Sequence, residues 1–175
     1  MNRVSVITGG AGGMGLATAK IVGRDHTVVL CDVRQDRLAA AAAALQDPGI
    51  TPTVVDCDVI DRRAVTDLLG TANNLGTVVF VIHTAGVSPS MGAADYVMRT
   101  NAIGTVNVNE EFFAVAGEGA VIVNVASMAA HMLPAEIVPA EQFPQALNDT
   151  DVFMDAMLAA CSIAPEEARS GLAYS

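Results

Sequence analysis

Tryptophan is absent and aromatic residues make up only 4% of the 175-residue sequence, so any core must be assembled from aliphatic side chains and small residues. Positive charge is scarce. Nine Lys and Arg stand against nineteen Asp and Glu, and the formal charge of −10 argues against nucleic acid and anionic membrane as partners, since both require clustered cations. No basic run is longer than Arg62-Arg63. Cysteine is limited to Cys31, Cys57 and Cys161, which are odd in number, far apart and without zinc-ligand spacing. They read as reduced, buried thiols of a cytosolic protein, and no metal site is expected. Long apolar runs are missing too. None approaches the ~20 residues of a membrane span. The chain enters its first strand after a single Arg, so no signal peptide is expected and a cytoplasmic location is.

What remains is 52% apolar and rich in Ala, Val and Gly, the mix of a buried parallel sheet covered by small-residue helices. The length suits one domain. Apolar β-branched runs at 3–8, 27–32, 51–57, 77–82 and 120–126 alternate with helical stretches at 13–23, 34–46, 61–69 or a little beyond, and 92–116. Five strands separated by helices predict a doubly wound parallel sheet in the order 3-2-1-4-5. From His131 to about Pro165 the composition turns acidic and rich in Met, Phe and Pro, with helix-like pieces at 135–146 and 150–161. This stretch reads as an insertion.

The chemistry begins at Thr8-Gly-Gly-Ala-Gly-Gly-Met-Gly15, between the first apolar run and a helical stretch. At such a turn the orphan N–H groups and the positive end of the helix dipole meet, and glycines let an anionic pyrophosphate approach closely. The second strand ends in Asp32, placed to accept the ribose hydroxyls of an adenosine. That acid would repel a 2′-phosphate, so NAD is expected over NADP, with Arg34 and Arg37 counting the other way.

Further along, Asp58-Val59 follows strand three, Ala85-Gly86 follows strand four, Asn101-x-x-Gly104 lies in the long helix, Val123-Asn-Val-Ala-Ser127 ends strand five, and Tyr174 stands in Gly171-Leu-Ala-Tyr-Ser175. With the Thr8-Gly9-x-x-x-Gly13-x-Gly15 spacing, this series resembles the short-chain dehydrogenase/reductase family over residues 3–131 and 166–175. The resemblance implies a Rossmann-like NAD-binding domain with a cofactor site at Gly9, Gly13, Met14, Gly15, Asp32, Val33, Asp58, Val59, Ala85, Gly86 and Tyr174. It implies that Tyr174 is the general acid/base, that Ser127 orients the substrate oxygen, and that Asn101 holds a water in a proton relay. The reaction implied is hydride transfer between NAD and a secondary alcohol or ketone. A small-to-medium apolar substrate is expected, steroid-like included.

Two departures from the family stand out. His83-Thr84-Ala85-Gly86 occupies the place of the usual Asn-Asn-Ala-Gly, and the lysine of the Tyr-x-x-x-Lys motif would fall beyond Ser175. A longer polypeptide with further strands is therefore expected, with residues 1–175 as one incomplete domain. The stretch between Ser127 and Tyr174 is several times longer than the family's usual spacing, which resembles hydroxysteroid dehydrogenase/carbonyl reductases with an insertion before the tyrosine. Residues 132–165 are expected as a helical flap beside the substrate, and as an element that alters or blocks the usual family dimer of a homo-oligomer. Single residues keep plainer readings. Asp58 is either an adenine contact or a helix-cap acid, Ser127 a turn residue and Asn101 a backbone clamp. His83 and His131 read as structural or substrate-lining, and Met128, Met132, Met154 and Met157 as adaptable core. The alternatives in function are an S-adenosylmethionine methyltransferase, in which Asn101, Ser127 and Tyr174 have no role, and a catalytically inactive NAD-binding protein. A P-loop nucleotidase is excluded, because no Gly-Lys-Ser/Thr follows the glycines.

Overall fold

A computed structural model describes residues 2–174, without the side chains of residues 130 and 135. Met1 and Ser175, the ends of the expected domain, lie outside the described residues. In chain order the elements are β1 (Arg3–Thr8), α1 (Gly13–Val22), β2 (Thr27–Asp32), α2 (Gln35–Gln46), β3 (Thr53–Asp56), α3 (Arg62–Leu75) and β4 (Thr77–His83). There follow α4 (Ala94–Met98), a π turn (Arg99–Ile103), α5 (Gly104–Val115), β5 (Val121–Asn124), α6 (Gln145–Asn148), α7 (Thr150–Cys161) and α8 (Glu166–Tyr174). The backbone forms two compact units. One is drawn from the chain up to Ala85 and from Asn107–Val125, the other from Gly86–Val106 and from Ala126 onward.

The first unit holds the sheet. All of its pairings are parallel, in the order β3-β2-β1-β4-β5, as the alternation of runs predicts. Because side chains alternate across a strand, each strand supplies both faces. Val4, Val6, Val29, Cys31 and Val81 pack on one side with Val65, Leu68 and Leu69 of α3 and Val108 and Phe112 of α5. Ile7, Val28, Leu30 and Ile82 pack on the other with Ala19 of α1 and Leu38, Ala41 and Leu45 of α2. Burial on both faces explains why these strands read as continuous apolar runs. Capping side chains start α3 and α7. Asp61 accepts from the N–H groups of Arg63 and Ala64 at 2.9 and 3.3 Å and starts α3.

In the second unit α4, α7 and α8 pack together through two small clusters. Val87, Val97, Cys161 and Ala173 form one, and Ile103, Phe153, Met154 and Met157 the other. The helix expected over 135–146 is instead two short 3-10 turns, 135–137 and 140–142, followed by α6. Pro139 and Pro144 lack the N–H groups that a continuous helix would use, and each stands just ahead of a new turn. The long helix expected over 92–116 is likewise interrupted. At the π turn the N–H of Gly104 donates to the carbonyl of Arg99, five residues back. Of the four methionines expected in the core, Met154 and Met157 are buried, whereas Met128 and Met132 are exposed around the 3-10 turn that follows β5.

Candidate active site

In the first unit the site is built on the carboxyl ends of β1 and β2. β1 turns at Gly9, whose φ of +62° favours glycine and whose missing side chain matters twice, since a Cβ there would stand 2.7 Å from the backbone nitrogen of Ala85. The turn closes on itself through Gly12 N–H to Gly9 O and through Gly10 N–H to Cys31 O, both at 2.9 Å. A Cβ on Gly15 would collide with the Gly9 carbonyl, so the first turn of α1 must sit against the loop. Gly12, the N-cap, has no side chain to satisfy the helix's first amides, and the space before Gly13 is open. Ala11, Gly12, Gly13 and Leu16 line a depression of about 320 Å³ together with Arg37, Ala40 and Ala41 of α2. Uncapped amides, an open cradle and a cation nearby fit the phosphates of a dinucleotide. Met14 and Val33 are exposed.

Asp32 is half-buried at the end of β2, and its carboxylate accepts from the Arg34 N–H at 3.2 Å. Arg34 itself is paired with Asp36 at 3.2 Å, which holds the Asp36 carboxyl below its usual range. Asp58 is exposed and accepts from Ile60 N–H at 3.0 Å in a turn. It is not the cap of α3, which is Asp61. Val59 is buried, and its carbonyl and that of Ile60 each take a 2.9 Å bond from the Nδ2 of Asn107, a buried residue of α5. Sequence reasoning missed Asn107. Its signal was an amide on the apolar face of a helix, where only a demanding backbone partner makes burial tolerable.

The second unit brings Asn101 and Tyr174 to one cavity. It measures about 260 Å³, and its walls are almost wholly apolar, including Met98, Phe143, Phe153, Met157 and Leu172. Cys161 also lines it, with its thiol pushed up by burial. Asn101 sits in the π turn, and its amide clamps the loop after Gly86. Nδ2 donates to Val87 O at 3.0 Å while Oδ1 accepts from Val87 N–H at 2.9 Å. A Cβ on Gly86 would press on that Oδ1 at 3.3 Å. Ser127 is not among the cavity-lining residues. Its Oγ accepts from Ala129 N–H at 3.1 Å and caps the 3-10 turn 128–131, which leaves the hydroxyl proton free to donate. His131 is exposed, whereas His83 is buried in the first unit. Among the described residues no group of His, Cys, Asp and Glu could hold a metal ion, and no helix is long and apolar enough to cross a membrane.

Comparison with known proteins adds the following. The family described as short chain dehydrogenase matches residues 3–139. A short-chain dehydrogenase/reductase of Alternaria brassicicola is 28% identical over 137 residues, covering 78% of this chain and 50% of the relative. The 1-deoxy-11-beta-hydroxypentalenate dehydrogenase of Streptomyces exfoliatus is 38% identical over 92 residues, 51% of this chain and 34% of the relative. The crystal structure of NAD+-bound xylitol dehydrogenase superposes with a TM-score of 0.65 at 26% identity, over 75% of this chain and 55% of the other. The apo form of LigD from Sphingobium superposes at 0.69 with 29% identity, over 76% and 62%. The chain thus spans about half the length, or less, of the curated relatives it matches.

Proposed function

The chain belongs to the short-chain dehydrogenase family, and from that membership we propose that it is an NAD-dependent oxidoreductase interconverting a secondary alcohol and a ketone. The observation that carries this reading is the uncapped glycine turn at the head of α1, with Asp32 at the end of the neighbouring β2. NAD, when bound, supplies or accepts the hydride. By the family's pattern, Gly9, Gly13, Met14 and Gly15 would hold the pyrophosphate, Asp32, Val33, Asp58 and Val59 the adenosine, and Ala85, Gly86 and Tyr174 are the positions that would serve the nicotinamide side.

Tyr174 gives a proton to the substrate oxygen in reduction and takes it back in oxidation. Ser127 donates its spare hydroxyl proton to the same oxygen. Asn101 keeps one amide hydrogen beyond its clamp on Val87 and holds the water of the proton relay with it. Residues 132–165 serve as a helical insertion that closes over an apolar substrate, a role supported by Leu133, Ile137, Phe143 and Met157 in the cavity wall. Three free thiols, all buried, support a reducing, cytoplasmic setting.

Fluorescence titration with NADH and NADPH tests the cofactor, and tighter binding of NADPH would overturn the assignment to NAD. Tyr174→Phe tests the chemistry. It should lower turnover by about 10²–10⁴-fold, and a variant as active as the parent would remove Tyr174 from the mechanism.

A further inference from the structure

Thr8 is the last residue of β1 and His83 the last of β4, and the register sets them side by side where the strand order reverses. Both are buried, Thr8 at 0% and His83 at 2% exposure. The Oγ1 of Thr8 lies 2.7 Å from Nδ1 of His83 and also accepts from the Ala85 N–H at 3.3 Å. The Thr8 carbonyl in turn accepts from the Thr84 hydroxyl at 2.7 Å and from the Thr84 N–H at 3.2 Å. The polar groups of Thr8 are therefore tied to the end of β4, one residue before the backbone enters Gly9 and passes against Ala85.

A hydroxyl carries a single proton. A buried hydroxyl proton needs an acceptor, and of the two groups bonded to the Thr8 oxygen the Ala85 N–H is a donor, so the proton goes to Nδ1 and the imidazole proton then resides on Nε2. Resting on the dinucleotide reading above, we infer that His83, as the neutral Nε2–H imidazole, is a positioning residue that fixes the Gly9–Gly12 turn for the pyrophosphate through Thr8. Burial keeps the ring neutral, with its pKa lowered to about 4. An apolar ring in its place would strand the Thr8 hydroxyl in the core, and the cheapest relief is a shift of the β1 end and the turn attached to it.

Nitrogen-15 spectra of histidine-labelled protein should show an unprotonated Nδ1 at His83, and a protonated Nδ1 at neutral pH would overturn the inference. His83→Phe should weaken NADH binding about tenfold with kcat at saturating cofactor unchanged, and should move the amide resonances of Gly10 and Gly12. His83→Asn, which restores an acceptor, should recover most of the affinity. Thr8→Val cuts the same link from the other side and keeps the test alive if the Phe variant fails to fold. Combining Thr8→Val with His83→Phe should cost no more affinity than either alone. Unchanged affinity and unchanged Gly10 and Gly12 amides in the single variants would refute the role. Should the parent protein bind neither NADH nor NADPH, the dinucleotide reading falls by itself, and the tautomer and the two amides still decide the positioning.

Discussion

One methyl group separates the structural from the ligand-facing glycines of the turn. Gly15→Ala drives a Cβ into the Gly9 carbonyl and to 2.8 Å from the Gly10 Cα, backbone that cannot step aside, and should cost roughly 1–3 kcal/mol of stability. Gly13→Ala meets nothing within 4 Å and should leave the melting temperature unchanged, yet on the proposed dinucleotide reading its methyl would stand in the path of the phosphates and should weaken NADH binding. Thermal unfolding beside cofactor titration of both variants checks the pair. His83 supplies a pH prediction. Its pKa is about 4 in the fold against 6.5 in the unfolded chain, so between these values the unfolded state binds more protons. Stability should be full above pH 6.5 and fall as the pH drops toward 4, by on the order of 3 kcal/mol over the window. Urea titrations across that range should show the slope, and His83→Asn should flatten it. Residue identity announced the glycines and Asp32, because their spacing encodes a turn and a strand end. It did not announce that Thr8 and His83 meet, since they stand 75 positions apart and only strand pairing brings them together.

Among the elements, β1 and β2 have the bounds their apolar runs predict, and α7 matches its helical stretch. A strand buried on both faces leaves little ambiguity of this kind. The π turn was illegible because no proline or glycine marks it before Gly104, and the extra residue is tolerated by bonds that no sequence pattern shows. The Thr105 hydroxyl, for one, donates to the Asn101 carbonyl at 2.7 Å. That same turn buries the Thr100 hydroxyl with no hydrogen-bond partner among the described residues. Thr100→Val should therefore be neutral or stabilising by about 1 kcal/mol, because an unsatisfied hydroxyl is replaced by a methyl. A clear loss of stability in urea would show that Thr100 has a partner, such as a buried water. The site elements divide similarly. The order of Asn101, Ser127 and Tyr174 was visible along the sequence, whereas the clamp on Val87 and the cap on Ala129 emerged only with the folded loops.

Among the described residues, the edge strand β5 and the helix α5 both carry exposed apolar side chains. Val121, Val123 and Val125, on and just after the edge strand β5, are 44%, 46% and 45% exposed, and Phe113 of α5 is 70% exposed. An apolar edge with unpaired backbone groups templates association. Replacing Val121 and Val123 with Lys should lower concentration-dependent light scattering, and equal scattering would show that association proceeds elsewhere. The order β3-β2-β1-β4-β5 carries one more consequence, for synthesis on the ribosome. Of the described strands, β1 is made before both of its neighbours, and the second of them, β4, is not complete until His83. Through all the intervening residues the nascent β1 keeps one side unpaired, a window in which chaperone binding or misfolding competes with completion. Stalled chains released after Gln46 should be digested rapidly by protease, and chains released after Val125 should resist it.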